Sequence, residues 1–310
     1  MSFAPTIHAG LRLRVLALLV ATLATVPPAR SSSATFGQFD RNDVLLVVAP
    51  HPDDETLCCA GAIQSARAAG ARVAVVWITS GDGYEFAASL VEHHFFNDAQ
   101  DLRAFGEMRM QEAARAASVL GLGPAERFFL GYPDRGIEQL LHDYHDARFR
   151  SPHTHAAAVP YAQAVRAGAA YTGADLEQDL RMVFDHVQPT WVLAPTPLDA
   201  HPDHSATGEF VIRLMSSRGT LARLRLWIVH GGFLWPWPRG LNIDAALVPP
   251  RRARALPWQD FALPPMERSV KVRAIRVYET QLLLGESFLL SFARANEIYA
   301  AAPTQAASVK

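Results

Sequence analysis

The chain has 310 residues, of which 50% are hydrophobic, 19% charged and 9% aromatic, a composition typical of a globular protein and not of a disordered or collagen-like chain. Its 29 basic and 30 acidic residues leave a net charge of -1. Because no long run of one charge sign occurs, the sequence offers no electrostatic footprint for nucleic acid. The two cysteines, Cys58 and Cys59, are adjacent and cannot cross-link distant segments, so we expect the core alone to stabilise the fold.

The N-terminal segment has the pattern of a secretory signal. Arg12 and Arg14 precede an apolar run over residues 15–26, which prolines and small residues follow. This run is shorter than the roughly twenty residues that a membrane-spanning helix needs. A buried core helix is the alternative, but no cap or amphipathic pattern surrounds the run. We therefore expect a signal peptide over residues 1–34, its cleavage point left open, and an exported protein, periplasmic or extracellular, with no membrane span after cleavage.

From residue 43 onward, short apolar runs alternate with longer amphipathic segments. The apolar runs are rich in β-branched or aromatic residues and are predicted to be strands; they are residues 44–49, 73–79, 127–130, 191–194 and 224–229. The amphipathic segments are predicted to be helices; they lie near residues 55–69, 103–120, 174–187 and 204–218. This order predicts an α/β fold, a Rossmann-like, doubly wound and mostly parallel sheet with helices on both faces. We expect one domain over residues 35–310.

Two segments depart from the alternation. Residues 140–171 form a long polar stretch, which we interpret as an insertion that serves as a lid or as a wall of the substrate site. Residues 240–265 are rich in proline and are expected to be irregular. A final C-terminal helix is expected from about residue 267 to 299.

Histidine and aspartate residues concentrate after the first and the fourth predicted strands. The first cluster is Pro50-His51-Pro52-Asp53-Asp54-Glu55, and the second is Asp199-Ala200-His201-Pro202-Asp203-His204. In a sheet of order 3-2-1-4-5 these strands are neighbours, and the loops at their carboxyl ends meet where ligands bind. Imidazoles and a carboxylate without a thiolate favour a catalytic zinc with three protein ligands and one water.

Each cluster alone also has an ordinary structural interpretation. His-Pro-Asp is common in turns, and Asp-Asp-Glu at a helix start caps the positive end of the helix dipole. We prefer the metal site because two such clusters meet at adjacent strand ends. The other histidine pairs lack a carboxylate at a comparable strand end and are expected on the solvated surface; they are His93 and His94, His142 and His145, and His153 and His155.

The two clusters resemble the signature of the PIG-L/LmbE-like zinc deacetylases, which remove acetyl from N-acetylglucosamine in various conjugates. The resemblance covers residues 43–298. Its further motifs are Thr79-Ser80-Gly81-Asp82-Gly83, Arg109 and Glu112 with Ala116 and Leu120-Gly121, Gly131-Tyr132-Pro133-Asp134, and Lys271, Ala274, Tyr278 and Gln281. Cys58 and Ala60 stand where small glycines are common, which we expect to affect packing only. The insertion is longer than in compact members, which leaves the substrate open.

The resemblance implies that His51, Asp54 and His204 are the ligands of one zinc ion per chain, and that Asp53 is the general base. Two neutral imidazoles and one carboxylate would leave such a zinc site with a net charge of about +1, which keeps the ion Lewis acidic. Asp53 is adjacent to a ligand but is not itself one, so it is free to accept a proton.

The resemblance also implies roles around the zinc ligands. His201, oriented by Asp203, is the candidate second electrophile, in the protonated form that a neighbouring carboxylate favours. Arg109 and Asp134 are expected to hold sugar hydroxyls, with a mutual ion pair as the alternative. His230 lies at the end of the fifth strand, and whether it contacts the substrate is left open.

These expectations describe an exported zinc-dependent N-deacetylase acting on an N-acetylglucosamine-type sugar in a glycoconjugate or oligosaccharide. Aromatic residues of the insertion would extend the cleft; they are Tyr144, Phe149, Tyr161 and Tyr171. Two alternatives remain. One is a metal-dependent hydrolase of another bond, a phosphoester or other amide, although phosphoester hydrolysis usually uses two metals. The other is a non-catalytic sugar-binding protein, which could dispense with Asp53. The particular sugar and the oligomeric state are left open.

Overall fold

The computed structural model describes residues 1–2, 36–91 and 97–303. The predicted signal segment beyond its first two residues, like His93 and His94, lies outside the described residues. Residues 36–310 belong to one compact unit. Within the described ranges, no helix is both long enough and apolar enough to cross a membrane.

A seven-stranded sheet lies at the centre of the fold. Its strands are β1 (Val44–Ala49), β2 (Arg72–Thr79), β3 (Arg127–Tyr132), β4 (Trp191–Pro195), β5 (Leu224–Trp227), β6 (Trp258–Ala262) and β7 (Asn296–Ala301). They are arranged in the order β3-β2-β1-β4-β5-β7-β6. The first five pair in parallel, whereas β7 is antiparallel to both β5 and β6. The predicted α/β class, the mostly parallel sheet and the 3-2-1-4-5 order are therefore confirmed.

Helices connect and flank these strands. They are α1 (Asp54–Ala68), α2 (Glu85–Val91), α3 (Ala99–Val119), α4 (Ile137–His142), α5 (Gly173–Val187), α6 (Pro202–Ser217), α7 (Pro265–Ile275) and α8 (Glu279–Leu290). The predicted helices of the alternation correspond to α1, α3, α5 and α6. Local interactions determine where two of these helices begin. The Thr172 side chain accepts a hydrogen bond from the first turn of α5. Pro202 is the first residue of α6, a position that the proline ring favours.

The sheet separates two apolar cores. Successive residues of β1 contribute alternately to them, with Leu45 and Val47 in one core and Leu46 and Val48 in the other. Burial of both faces is what a parallel sheet covered by helices requires. The neighbouring Cys58 and Cys59 are buried in α1, and their sulfur atoms are bonded to each other, so they connect no distant segments.

The C-terminal region differs from the prediction of a single helix over residues 267–299. The chain forms two helices, α7 and α8, and then β7, which lies between β5 and β6. A buried ion pair joins α7 to β7, with 2.7 Å between Lys271 Nζ and Glu297 Oε1. Lys271 also donates to the carbonyl of Leu57 in α1 at 2.8 Å. The prediction of one continuous helix was therefore wrong, because the chain leaves the helix between α7 and α8 and because pairing with distant strands determines the structure of residues 296–301.

The insertion over residues 140–171 contributes to the core beside β3. Tyr161 and Tyr171 are fully buried. The Tyr161 hydroxyl donates to Asp82 Oδ2 at 2.6 Å, and the Tyr171 hydroxyl donates to the carbonyl of Gly131 at 3.2 Å. These rings are not exposed for stacking, so the expectation that they line a substrate cleft was wrong.

Candidate active site and metal centre

A pocket of about 270 Å³ lies beyond the carboxyl ends of β1 and β4. The predicted site residues that line it are His51, Asp53, Asp54, Arg109, Asp134, His201 and His230. Other parts of the wall come from Tyr84 before α2 and from Gln281, Gly285, Phe288 and Leu289 in α8. His204 and Asp203 are fully buried beside the pocket. The topological switch point therefore holds the two clusters, as the strand order predicts.

Three side chains present one donor atom each to a common point. The distance from His51 Nδ1 to His204 Nε2 is 3.2 Å, from His51 Nδ1 to Asp54 Oδ2 3.3 Å, and from His204 Nε2 to Asp54 Oδ2 3.2 Å. Tetrahedral ligands at about 2.0 to 2.2 Å from zinc are roughly 3.3 to 3.6 Å apart. The triangle thus has about the size of one face of a zinc tetrahedron, and its donor types fit that ion.

Two further histidines surround this triangle. A ring nitrogen of His201 groups with His51 and His204, and one of His230 groups with Asp54 and His204, within 4.8 Å in each case. The donor atoms of the triangle are 3.2 to 3.3 Å apart, which fits their spacing around one zinc ion. We therefore interpret the triangle as the ligand set, with His201 and His230 as its neighbours.

A carboxylate lies behind each imidazole of the triangle. His51 Nε2 is 3.1 Å from Asp134 Oδ1 and 3.2 Å from Asp203 Oδ2. His204 Nδ1 is 3.3 Å from Asp199 Oδ2. Such carboxylates fix the tautomer and the ring orientation of metal-binding histidines. They leave Nδ1 of His51 and Nε2 of His204 as the nitrogens that face the common point.

Asp199 was not assigned a role from the sequence. Its buried carboxylate accepts the backbone N–H groups of His201 at 2.9 Å, Val229 at 2.9 Å and His230 at 3.0 Å. Burial by itself raises the pKa of Asp199, but the contact with His204 outweighs it and brings the pKa below its ordinary value. The carboxylate therefore joins the loops after β4 and β5 while it orients a ligand. Its place in the second cluster was the signal that could have identified it.

Asp53 lies between the triangle and a buried arginine. Arg109 Nη2 is 3.4 Å from Asp53 Oδ2, and the guanidinium also donates to the carbonyls of Pro52 at 2.8 Å and Gly81 at 3.0 Å. Burial raises the pKa of Asp53 to about 8, although the charge of Arg109 opposes this shift. A raised pKa suits a group that both accepts and returns a proton near neutral pH.

The same contacts change the role that we assign to Arg109. Its guanidinium is committed to two carbonyls and to Asp53, and the described contacts include no direct ion pair with Asp134. Gly81 has φ +74°, and a side chain there would collide with the guanidinium, which explains the glycine in this loop. Arg109 therefore positions Asp53, and its contact with a sugar stays a prediction.

The expected orientation of His201 by the Asp203 carboxylate was wrong. That carboxylate accepts the backbone N–H groups of Arg135 at 2.6 Å and Ile137 at 3.0 Å, besides its contact with His51. The backbone N–H of Asp203 instead donates to His201 Nδ1 at 3.2 Å. Because Nδ1 accepts, the proton of the neutral ring is on Nε2.

The surroundings of His201 disfavour the protonated state that the sequence predicts. Burial, together with the nearby imidazoles of His51, His204 and His230, lowers the pKa of His201 to about 2. His201 is thus a neutral donor through its Nε2–H at the start of α6. A helix N-terminus also disfavours a positive imidazole.

Asp134 and His230 border the pocket. Asp134 Oδ2 accepts the N–H of Gly83 at 3.0 Å, while its other oxygen faces His51. The ring of His230 stacks on Phe288 with centroids 5.7 Å apart. Burial, together with the charge of a neighbouring imidazole, lowers the pKa of His230 to about 4. Both residues are placed to meet a ligand, and their contact with substrate stays a prediction.

Glu55, the last residue of the first cluster, points away from the pocket. It is fully buried and accepts hydrogen bonds from Trp77 Nε1 at 2.9 Å and from the Tyr278 hydroxyl. These contacts join α1 to β2 and to the start of α8. Glu55 therefore has a structural role.

Comparison with known proteins places this chain in a family. The family model described as GlcNAc-PI de-N-acetylase, PIG-L, matches residues 46–215. The probable N-acetyl-alpha-D-glucosaminyl L-malate deacetylase 2 of Bacillus anthracis is 25% identical over 174 residues, which are 56% of this chain and 59% of the relative. The chain thus matches less than two thirds of that relative's length.

Solved structures support the fold. The A40926 pseudoaglycone deacetylase Dbv21 has a TM-score of 0.55 and 21% identity, with 87% of this chain and 100% of that chain covered. The zinc-inhibited form of the teicoplanin deacetylase Orf2 has a TM-score of 0.53 and 19% identity, with 83% and 97% covered. At these identities the likeness concerns the fold alone. Because the family model covers more than half of the chain, including both His- and Asp-rich clusters up to α6, this chain belongs to the PIG-L family of de-N-acetylases.

Proposed function

We propose that this chain is a zinc-dependent N-deacetylase that hydrolyses the acetamide of an N-acetylglucosamine-type sugar in a glycoconjugate or oligosaccharide. The observation that carries the proposal is the triangle of His51, Asp54 and His204 at the wall of a pocket that also contains Asp53. A family of amide hydrolases and a relative described as an N-acetylglucosaminyl malate deacetylase support the choice of bond and of sugar.

The donor set fits one zinc ion per chain, held by the two imidazoles and the Asp54 carboxylate. When bound, zinc would supply Lewis acidity toward the acetamide carbonyl and toward an attacking water. Asp53 faces the same pocket and is not part of the triangle. It accepts the proton of the water during attack and returns it to the nitrogen of the leaving amine. Arg109 holds the Asp53 carboxylate in place for both transfers.

His201 contributes the second stabilising group. Its Nε2–H donates to the oxygen that becomes negative in the tetrahedral intermediate, and the bond from the Asp203 backbone keeps the proton on that nitrogen. One such donor contributes roughly 3 to 4 kcal/mol to lowering the barrier. A neutral imidazole is suited to this role because it does not repel the cation held by its neighbours.

The pocket suits a single sugar unit. Its volume of about 270 Å³ is near the lower end of ligand pockets, which run from about 300 to 1,000 Å³. No residue of the insertion lines it in the part of the chain that the structure describes. Asp134 and His230 border it and are proposed to contact the sugar, while the remainder of the conjugate lies outside.

The proposal is tested with the purified chain loaded with zinc. Metal content is measured by mass spectrometry, and released acetate is assayed on a panel of N-acetylglucosamine conjugates, with phosphoesters of the same sugars in parallel. We expect acetate release that stops with a chelator and returns with zinc. Asp53→Asn, a near-isosteric change, is the matched variant and should keep the zinc while losing turnover.

Two results would overturn the proposal. Phosphate release without acetate release would indicate the other class of metal-dependent hydrolase. Sugar binding with no acetate release by the zinc-loaded protein across the panel would indicate a binding protein that has kept the pocket.

A further inference from the structure

A loop beside the pocket exposes large apolar side chains. We call residues 231–256 the rim loop. Phe233 is 94% exposed, Trp237 71% and Leu234 65%. Single exposed apolar residues are ordinary, but several together mark a surface that meets a partner.

The rim loop lies at the mouth of the pocket. It follows His230 directly, and its Arg239 guanidinium is 4.7 Å from the ring centroid of Phe288, which lines the pocket. The N–H of Gly240 donates to the carbonyl of Ser287 in α8 at 2.8 Å. A partner that covers the exposed side chains would therefore lie next to the pocket opening.

The rim loop is anchored. Trp235 Nε1 donates to the carbonyl of Val248 at 2.8 Å, and the Trp235 ring lies against Phe292 with centroids 5.5 Å apart. Arg239 Nη2 donates to the carbonyl of Phe233 at 2.7 Å. The apolar side chains are thus presented outward by a loop that Trp235 and Arg239 anchor, and ordering this loop adds little to the cost of binding a partner.

The same loop carries unpaired positive charge. Arg251, Arg252 and Arg254 are exposed, and among the described residues no acidic side chain forms an ion pair with them. Asp244, the acidic residue of the loop, is paired with Arg268 at 2.7 Å. Pro250 packs against Gly231, so the arginines begin beside the exposed aromatic segment.

Two further exposed apolar side chains lie on helices that contribute to or adjoin the pocket wall. Leu283 in α8 is 57% exposed, and Phe86 in the adjoining α2 is 65% exposed. Tyr84, just before α2, lines the pocket. Exposed apolar side chains are thus present on α2 and α8 as well as on the rim loop.

We propose that the rim loop binds the surface of an anionic lipid bilayer. Aromatic and aliphatic side chains enter the interfacial layer of a bilayer, and neighbouring arginines bind its acidic headgroups. A symmetric second copy fits this surface less well, because it would bring like-charged arginines together. Such binding would present the pocket to sugars that project from the membrane. The inference does not depend on the proposed catalytic function.

The test is flotation of the full chain with vesicles of phosphatidylcholine alone and of phosphatidylcholine with 30% phosphatidylglycerol. We expect binding to the anionic vesicles that weakens with salt. Each Arg near such a surface contributes about fivefold in affinity, so the triple variant R251Q/R252Q/R254Q should bind at least about 30-fold more weakly. A double variant, F233S/W237S, should also lose at least about tenfold.

Matched controls lie outside the rim loop. Arg41→Gln removes an exposed arginine just before β1, and Met182→Ser removes an exposed apolar side chain in α5; both should bind like the unaltered chain. All variants share the same N-terminal segment, so differences among them report on the rim loop.

A second readout is local to the loop. Brominated lipids should quench part of the tryptophan fluorescence, and Trp237→Phe should remove that part. Equal affinity of the rim and control variants together with no quenching specific to Trp237 would overturn the proposal. So would concentration-dependent dimerisation without vesicles that the rim variants abolish, since it would identify a second copy as the occupant.

Discussion

Replacement of Asp199 by Asn tests whether this carboxylate orients a metal ligand. The Asp199 carboxylate accepts backbone N–H groups on both oxygens, from His201 on one side and from Val229 and His230 on the other. An amide has one acceptor oxygen, so its NH₂ must face an N–H in either orientation. The structural cost is about 1 to 3 kcal/mol of unfolding free energy, the usual cost of an unsatisfied buried polar group.

The effect on the metal is separate from this structural cost. Asp199→Asn also removes the negative charge 3.3 Å from His204 Nδ1, and loss of such an outer partner typically lowers metal affinity about 10- to 100-fold. We expect the zinc Kd, measured by competition with a chromophoric chelator, to rise by that factor. The melting temperature in excess chelator reports the structural cost alone.

Asp179→Asn is the matched control for Asp199→Asn. Asp179 is a fully buried carboxylate that accepts from the Tyr132 hydroxyl at 2.8 Å and from Arg166 Nε at 2.5 Å, and it does not line the pocket. The control should destabilise the fold while leaving the zinc Kd unchanged. An unchanged Kd in Asp199→Asn, or an equal rise in both variants, would refute the orienting role.

Asp54 is the proposed ligand and Asp53 the proposed base. Asp54→Ala should therefore purify with less than half of the zinc of the unaltered chain, whereas Asp53→Asn should keep its zinc and lose at least about 100-fold in kcat. Equal loss of zinc in the two variants, measured by mass spectrometry, would contradict this assignment. Lys271→Met leaves the buried carboxylate of Glu297 without its cation and should lower the unfolding free energy by about 3 to 5 kcal/mol in urea titrations, so a loss below about 1 kcal/mol would count against the ion pair. The export that the sequence predicts is a further proposal: protein from the native cell envelope should begin between residues 27 and 38 on N-terminal sequencing, and recovery of the uncut chain from the cytoplasm would reject it.

The parallel part of the sheet could be predicted because each strand carries its own signal. β1, β2 and β4 are short apolar runs buried on both faces, and turn residues or helix starts bound them. β6 and β7 lack that signal. β6 is an edge strand with mostly exposed residues, and β7 reads Asn-Glu-Ile-Tyr-Ala-Ala, which is equally compatible with a helix. Pairing with β5, distant in sequence, determines its conformation.

The position of the site and its candidate ligands could be predicted, because topology and residue type determine them. Strand order brings the two clusters together, and the candidate ligands follow from their donor atoms. The direction of the Asp203 carboxylate could not be predicted, because its partners are the N–H groups of Arg135 and Ile137 at the start of α4, distant in sequence. Asp203 is two residues from His201, which suggested a contact between their side chains. In the structure the backbone of Asp203 makes the contact instead. The burial of Tyr161 depends likewise on Asp82, which no local pattern reveals.

The backbone at Asp53 explains how two neighbouring carboxylates take different positions. Asp53 has φ +117° and ψ -32°, a conformation that costs a non-glycine residue about 1 to 3 kcal/mol. Its carbonyl accepts the N–H groups of Thr56 at 2.9 Å and Leu57 at 3.0 Å, so the first turn of α1 maintains it. The turn directs Asp54 toward His204 and Asp53 toward Arg109.

This strain makes the choice of variant at Asp53 decisive. Asn is among the residues that tolerate positive φ best, so Asp53→Asn should preserve the turn and therefore the position of Asp54. Zinc retained with turnover lost would then report on the carboxylate of Asp53 alone. Asp53→Ala, which tolerates positive φ poorly, should relax the turn, displace Asp54 and lower zinc affinity as well. If Asp53→Ala bound zinc as tightly as Asp53→Asn, the position of Asp54 would not depend on the strained turn.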